Sequence, residues 1–504
     1  MSEEKKELLL FQIGPVQEFI AQAENVPELW AGSYLLAKLI YAGIQKVPNY
    51  NENLIFPNFM KDNGNENTVE TALNKDKIPT IPNRFLAFVP EGKGIEIAEN
   101  VKTAIIEWLT EQLKPIVKDE GEAKKQAEAF LQITWAVNPY DDTGDIKEVM
   151  GKNYKEIGKK LAVRRNVRDF APWIEKEVGK EKDFLSGKEN VIDNKRGAIN
   201  NLKLNLIDSE RDASSYKIEY RDKNGLSDSY IAVIAMDGDK MGASLSNLKQ
   251  PEDHRNFSKS LADFASSVKG IVENCSNDSE EAFFGKLIYA GGDDVLAIVP
   301  AKKAIACAKA LSKNFKSAMS KYKWKEEDDD DNKEITASAG IAIGHKKVPL
   351  QDLVHAAHDA EKRAKSVYGR DALAINILKR SGERIEWGCK WGSNALKLYE
   401  ELNDIHNADD KQNAGLAHKL DAYLKPLAFD KSINDVLSKK LNEIVKLEVE
   451  RLCERTKFPK DVNKGSLIAI SKAAVDEVFE KNRSQDFITT FLCETFINRP
   501  REEQ

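Results

Sequence analysis

The chain has 504 residues; 76 Lys and Arg against 82 Asp and Glu leave a formal net charge of −6, with 41% of residues hydrophobic and 31% charged. This balance excludes binding of nucleic acid by bulk positive charge, and it is too apolar for a disordered chain. With no apolar stretch near the roughly 18 residues that span a bilayer, a charged N-terminus unlike a signal peptide, and scattered cysteines (Cys275, Cys307, Cys389, Cys453, Cys493) lacking any CxxC pair, the expectation is a cytoplasmic protein with no membrane partner and no zinc.

The first predicted strand is Leu8–Ile13, ended by Gly14-Pro15. A helix is expected from Val16 to Gln45, then strands Asn53–Phe56 and Arg84–Val89, a helical stretch over 96–131 and a strand Ile133–Val137. The order is βαββαβ, that of a ferredoxin-like sheet, and residues 1–149 are assigned to this module. Residues 150–227 read as a helical, basic inter-module domain. Its cluster Lys159, Lys160, Arg164, Arg165 and Arg168 is better explained as a solvated helix face than as a nucleic-acid contact.

The same order then returns over 228–388. Tyr230–Met236 is a continuous apolar run, as in a strand buried on both faces. Asp237-Gly238-Asp239 ends it. A helix follows over about His254 to Glu273, then strands Lys286–Ala290 and Val295–Val299 joined by Gly291-Gly292-Asp293-Asp294. A second helix covers Lys302–Tyr322, a strand Ile335–Ile343, a third helix Leu350–Val367 and a last strand Leu373–Ile377. The acidic run 325–333 reads as a solvated loop tip. From 389 to 504 helical spacing continues through five segments, which fits a small bundle. The fold class is therefore α+β: two ferredoxin-like modules with helices on one sheet face, a helical inter-module region and a C-terminal helical bundle. Only the second module carries acidic residues at both key turns.

Two carboxylates side by side in a tight turn between apolar strands repel one another unless a cation offsets them. In a ferredoxin-like sheet this hairpin lies beside the first strand, whose end carries Asp237 and Asp239. Up to four carboxylates then converge, and such hard oxygen ligands suit Mg²⁺ or Mn²⁺. Two ions about 3.5–4 Å apart can activate a ribose hydroxyl and stabilise a leaving pyrophosphate. Gly238, Gly291 and Gly292 would let a nucleotide approach the backbone. Lys240 opens a turn whose N–H groups can cradle phosphates. Lys362 and Lys365 share a helix face, and one could reach a triphosphate; each alone also reads as a complement to the helix C-terminal dipole.

Gly-Gly-Asp-Asp, the upstream acidic strand end and the stretch from Ala364 to Arg370 resemble the nucleotidyl-cyclase/polymerase palm fold. FQIGPVQEFIAQAENVPELWAGSYLLAKLI (11–40), IPNRFLAFVP (81–90) and YIAVIAMDGDKMG (230–242) together resemble the large polymerase–cyclase subunit of type III-B CRISPR effector complexes. The resemblance implies assembly with backbone-forming subunits, a small helical subunit and a guide RNA. It implies that complementary target RNA activates the palm site, which joins ATP through 3′–5′ bonds into cyclic oligoadenylates. It assigns metal binding and catalysis to Asp293 and Asp294, with Asp237 as partner and Asp239 as a further ligand. The first module would supply part of the pocket for the second ATP, from the segment between Gln17 and Ser33.

Two departures carry expectations of their own. Many relatives begin with an HD nuclease domain, whereas this chain opens on the first palm-like module; His358-Asp359 lies within a helix, so no DNA nuclease activity is expected. Residues 150–227 contain no cysteine, so the zinc site of many relatives is not expected there. Three further readings stay open: the same chemistry yielding an AMP conjugate of a molecule such as S-adenosylmethionine, a catalytically silent scaffold, and a free-standing cyclase using GTP.

Overall fold

Two apolar runs at strand spacing, one near the N-terminus and one at mid-chain, each found a sheet. The computed structural model describes residues 5–58, 68–74, 76–140, 149–167, 181–193, 195–210, 219–221, 229–273, 282–325, 331–408, 414–424, 435–458, 462–481, 483 and 485–498. Arg168 and Cys275 lie outside these, as does most of the 325–333 acidic run.

The first module runs β1 (Lys6–Gly14), α1 (Gln17–Ala21), α2 (Val26–Ile44), α3 (Tyr50–Asn53), β2 (Leu54–Phe56), α4 (Thr68–Asn74), β3 (Arg84–Pro90), α5 (Gly94–Val117), α6 (Glu120–Phe130) and β4 (Gln132–Pro139). Its sheet is antiparallel in the order β2-β3-β1-β4, the predicted ferredoxin-like arrangement. The helix expected over Val16–Gln45 is two. Asn25 caps α2 by accepting from Glu28 N, and a proline stands in the first turn of the new helix, so the chain restarts there rather than continuing. The stretch 96–131 also divides, at Lys118 in the left-handed region, with Asp119 capping α6.

Helices α7 (Val149–Asn166) and α8 (Ala198–Glu210) follow, then the short β5 (Glu219–Arg221). The two helices are not a separate domain. Met150, Ile157 and Leu161 of α7 close the core over Leu8, Leu10, Leu86 and Phe88 on the outer face of the first sheet. Two of the predicted solvated basic residues anchor this helix: Lys160 Nζ donates to Asn138 Oδ1 at 2.5 Å, and the Arg164 guanidinium lies 4.7 Å from the Trp135 ring centre. Helix α8 packs on α2 and α5.

The second module runs β6 (Tyr230–Gly238), α9 (Met241–Ser246), α10 (Pro251–Glu273), β7 (Ala282–Phe284), β8 (Lys286–Gly291), β9 (Asp294–Pro300), α11 (Ala304–Ala318), β10 (Lys323–Trp324), β11 (Lys333–Glu334), β12 (Ala337–His345), α12 (Leu350–Ser366), β13 (Ala372–Leu378) and β14 (Arg384–Lys390). Its main sheet has the order β14-β13-β12-β6-β9-β8, with β12 and β13 parallel. The strand β14 was not foreseen in the sequence.

Helices do not occupy one face only. Ala232, Ile234 and Met236 share a core with Phe257, Phe264, Leu311 and Phe315 of α10 and α11. The alternate residues Val233 and Ala235 point into a second core, with Leu353 and Val354 of α12 and with Trp30 and Leu35 of α2. Burial on both faces explains the continuous apolar run. The first module thus supplies part of the roof of the second. Helix α12 comes down onto β12 at Gly340, where a Cβ would stand 2.1 Å from Ala357 O.

The C-terminal helices are α13 (Asn394–Ala408), α14 (Ala414–Leu424), α15 (Asp435–Arg455), α16 (Lys464–Glu480) and α17 (Gln485–Asn498). They enclose a core of their own around Leu402, Leu420, Val449, Val475 and Phe491, while Cys493 and Ile497 of α17 join the core beneath β13 and β14. No helix of the described residues is long and apolar enough to cross a membrane.

Candidate active site

The predicted hairpin forms as read: β8 and β9 pair antiparallel, with Gly291 opposite Asp294. Gly292 takes φ +71°, the left-handed region that a side chain disfavours. The neighbouring strand β6 pairs with β9, which brings its acidic end beside the turn. The two turns touch closely. A Cβ at Gly238 would stand 2.9 Å from Asp293 Cβ and 2.8 Å from Met241 Cγ.

Asp237, Asp293 and Asp294 therefore crowd one end of the sheet. Burial first, and then the Asp237 charge, push the Asp293 carboxyl up to about 7, against the opposing charge of Arg84. Asp294 is driven well above the ordinary carboxylate range by burial and by Asp237, Asp293 and Glu361, with Lys365 opposing. Such a set is short of positive charge. Lys365 supplies one fixed cation: its ammonium pairs with Asp237 and, at 2.7 Å, with Glu361. Burial works against that ammonium, and the Asp237 and Glu361 charges override it, raising its pKa.

These observations bear on a divalent cation. The donors are hard carboxylate oxygens with uncompensated charge, and the Lys365 ammonium already takes a cation's place on Asp237, so the residues fit Mg²⁺ or Mn²⁺ in kind. Among the described residues no group of three or more His, Cys, Asp or Glu is drawn together closely enough to hold a metal as it stands.

Several predicted site residues stand elsewhere. Asp239 is a structural carboxylate, not a member of the cation set. It is buried, accepting at Oδ2 from Thr336 Oγ1 (2.8 Å) and Asp371 N (3.0 Å) and at Oδ1 from Ser338 Oγ (2.8 Å). It ties β6 to β12 and to the start of β13. Lys362 is exposed beside Asp359, at 3.5 Å, and does not share the environment of Lys365. The Lys240 ammonium lies 5.1 Å from the Trp324 ring centre, on a residue in the left-handed region that caps α9. Ser33 is buried, its hydroxyl donating to Leu29 O within α2, and so is turned inward rather than toward a nucleotide. Gln17 is exposed at the start of α1, which packs against α12. His358 faces Glu361 at 3.7 Å within α12.

The sequence reading missed Arg84, Phe56 and Glu361. Arg84 opens β3, and with Phe56, Tyr154, His254 and Asp293 it lines a narrow cavity of about 30 Å³ between the modules, enough for water and not for a nucleobase. The one available signal was an arginine at the head of an apolar strand, inside a motif already singled out.

Comparisons with known proteins agree with this architecture. Residues 8–118 match the family described as "CRISPR-associated protein Cmr2, N-terminal", and residues 230–374 match "Cas10/Cmr2, second palm domain". Together the two stretches take in just over half of the chain. The CRISPR system Cmr subunit Cmr2 of Pyrococcus furiosus is 35% identical over 184 residues, covering 30% of this chain and 19% of the relative. The CRISPR system single-strand-specific deoxyribonuclease Cas10/Csm1 of Streptococcus thermophilus is 24% identical over 227 residues, 42% of this chain and 26% of that one. The alignments thus span about a fifth to a quarter of these relatives' length. Among solved structures, a chain of the type III-B Cmr-beta complex in its apo state superposes with a TM-score of 0.62 at 12% identity, over 92% of this chain and 78% of that chain. A chain of a Csm1–Csm4 cassette in complex with cA4 gives 0.53 at 14% identity, over 94% and 70%. At such identities the likeness shows the shared fold.

Proposed function

The chain belongs to the Cas10/Cmr2 family, and on that premise we propose that it is the RNA-activated nucleotidyl-cyclase subunit of a type III-B CRISPR effector complex. In this reading it works with guide RNA, target RNA and the other effector subunits, a small helical one among them. Its reaction joins ATP into cyclic oligoadenylates. The observation that carries the reading is the meeting of Asp237 with Asp293 and Asp294 at one sheet end, with Lys365 beside them. The relatives' solved forms lend support: one Cmr-beta structure is bound to cognate target RNA, and one Csm1–Csm4 cassette holds cA4.

Divalent cations, when bound, would supply Lewis-acid activation of the attacking ribose hydroxyl and charge stabilisation for the leaving pyrophosphate. Asp293 and Asp294 would hold them from the turn, and Asp237 from the strand end. Lys365, hydrogen-bonded and ion-paired to Asp237 and paired with Glu361, would stand beside the cations and could meet the triphosphate. The Gly291-Gly292 backbone, expected to admit a close ligand, is buried, with the Tyr289 hydroxyl over Gly291 and the Phe56 ring near Gly292.

The test is a product assay on the assembled complex with ATP, Mg²⁺ or Mn²⁺ and matched target RNA, with and without S-adenosylmethionine, read by mass spectrometry. Cyclic adenylates made only with target RNA are expected, and chelation with EDTA should abolish them. A mixed AMP conjugate would keep the metal chemistry and change the acceptor. No product from a complex that binds target RNA would leave the scaffold reading. Asp293→Ala with Asp294→Ala should reduce product to background with assembly intact; a wild-type rate would refute the assignment.

A further inference from the structure

The chain between α12 and β13 takes an unfavourable path. Gly369, Arg370 and Asp371 follow one another in the left-handed region, with φ of +74°, +63° and +46°. Glycine accepts that conformation freely, whereas a side chain resists it. Two successive non-glycine residues keep it only where the surroundings hold them there.

The surroundings do hold this turn, from three sides. Lys390 of β14 donates to Gly369 O at 2.7 Å and also to Arg370 O, and its neighbour Trp391 donates through N to Asp371 O at 3.2 Å. Arg370 N donates back to Ala364 O at 3.2 Å, which joins the turn to the last turn of α12. Asp371 N donates to Asp239 Oδ2 at 3.0 Å. Asp239 is itself fixed: it is buried, and Thr336 Oγ1 and Ser338 Oγ each donate to it at 2.8 Å.

The end of β6 therefore reaches the end of α12 by two routes. Asp237 meets it directly, through the Lys365 ammonium. Asp239, two residues on, meets it through the backbone of Asp371, Arg370 and Ala364, next to Lys365. The first route uses side chains that the reaction itself calls on. The second uses a carboxylate already bonded to protein donors, so it stays in place while Asp237 and Lys365 change partners.

We propose that Asp239 is a positioning residue of the active site: by holding Asp371 N it pins the left-handed turn, and through that turn it fixes where α12 presents Lys365 to Asp237. The activity arm of this inference rests on the cyclase reading; the arm read by amide exchange does not. Misplacement of a group by about 1 Å can cost on the order of 10²-fold in rate. Asparagine in place of Asp239 keeps its shape and an acceptor oxygen for Asp371 N, but it lacks the charge that a Mg²⁺ ligand would supply.

The experiment uses the assembled complex with Asp239→Ala and Asp239→Asn, and Thr336→Val as a milder variant should Asp239→Ala fail to assemble. Two readouts are taken. One is product formation from ATP with target RNA over a range of Mg²⁺ concentrations. The other is hydrogen–deuterium exchange of peptides spanning 363–374, without ATP or added metal. Asp239→Ala is expected to lower the rate on the order of 10²-fold at every Mg²⁺ concentration, and Asp239→Asn to recover most of the loss. Exchange over 363–374 should rise in Asp239→Ala while that of α10 and α11 stays at the wild-type level. Thr336→Val should show the same pattern with smaller changes, and wild-type behaviour in it would overturn the proposal if it alone assembles. A wild-type rate in Asp239→Ala overturns the proposal. So does a loss that rising Mg²⁺ restores, or an Asp239→Asn as impaired as Asp239→Ala, either of which would make Asp239 a metal ligand. If the wild-type complex makes no product, the cyclase reading fails and exchange alone decides: a rise over 363–374 sustains the proposal, and unchanged exchange there overturns it.

Discussion

A methyl group decides much at residue 238. Gly238 stands in the Asp237-Gly238-Asp239 turn, and an added Cβ would come within 2.9 Å of Asp293 Cβ and 2.8 Å of Met241 Cγ, the latter part of a flexible side chain. Gly238→Ala is therefore expected to cut product formation about 10- to 100-fold, with a stability cost of about 1–3 kcal/mol from overpacking. Gly242→Ala, where no atom lies within 4 Å of the new Cβ, should leave both unchanged; equal rates for the two variants, measured side by side, would sink this account. Asp237, Asp293 and Asp294 were legible in the sequence because each ends or begins an apolar strand, and strand ends converge in a known sheet order. The role of Asp239 was not. Its partners Thr336, Ser338 and Asp371 lie 97 to 132 residues further on, and no local pattern reports a hydrogen bond over that distance. Arg84 escaped for the same reason: its meaning comes from a turn in another module.

At the scale of elements, the break between α1 and α2 is held from beneath. Lys203 of α8 is fully buried, its ammonium donating to Phe19 O at 2.9 Å and Gln22 O at 2.7 Å. Beside it Arg196 grips Glu28 at 2.7 and 3.0 Å and Glu24 at 2.6 Å. Lys203→Met would leave Gln22 O, just after α1, without its buried donor and weaken the hold on Phe19 O, at a cost of about 1–3 kcal/mol in denaturant unfolding. The same site makes stability depend on pH. Burial pulls the Lys203 ammonium down to about 7, whereas an unfolded lysine titrates near 10.4. Below about pH 7 both states bind the proton and nothing changes. From there up to about 10 only the unfolded chain binds it, so stability from this group rises with pH. The melting temperature of Lys203→Met, followed over the same interval, should lack that rise; parallel curves would refute it. The Asn25 cap and the nearby proline were a readable start signal for α2, passed over because the apolar spacing runs through them. Strand β14 is not legible because a glycine reads as an ending, whereas Gly388 lies opposite Ala374 within the sheet.

For the whole molecule, the consequential fact is that one core spans both modules. Trp30 and Leu35 of the first and Val233, Ala235 and Ile298 of the second are buried together. Cores shared in this way melt together, so the two modules are not independent folding units. Residues 229–390 expressed alone should aggregate, with the α2-facing side of the sheet laid bare, and co-expression with residues 1–210 should restore soluble material on gel filtration. A monodisperse, folded 229–390 fragment would show that the sheet does not need its neighbour.

The contact between Pro79 and Ala290 has one more consequence. β8 is the outermost strand of a six-stranded sheet, and such a strand is a template on which another chain can add. A proline offers a carbonyl and no N–H, so it can seal this seam without continuing it as a seventh strand. Were the first module removed, as in a 229–390 fragment, that seal would be lost, and the bare strand would become a place where two copies can zip together.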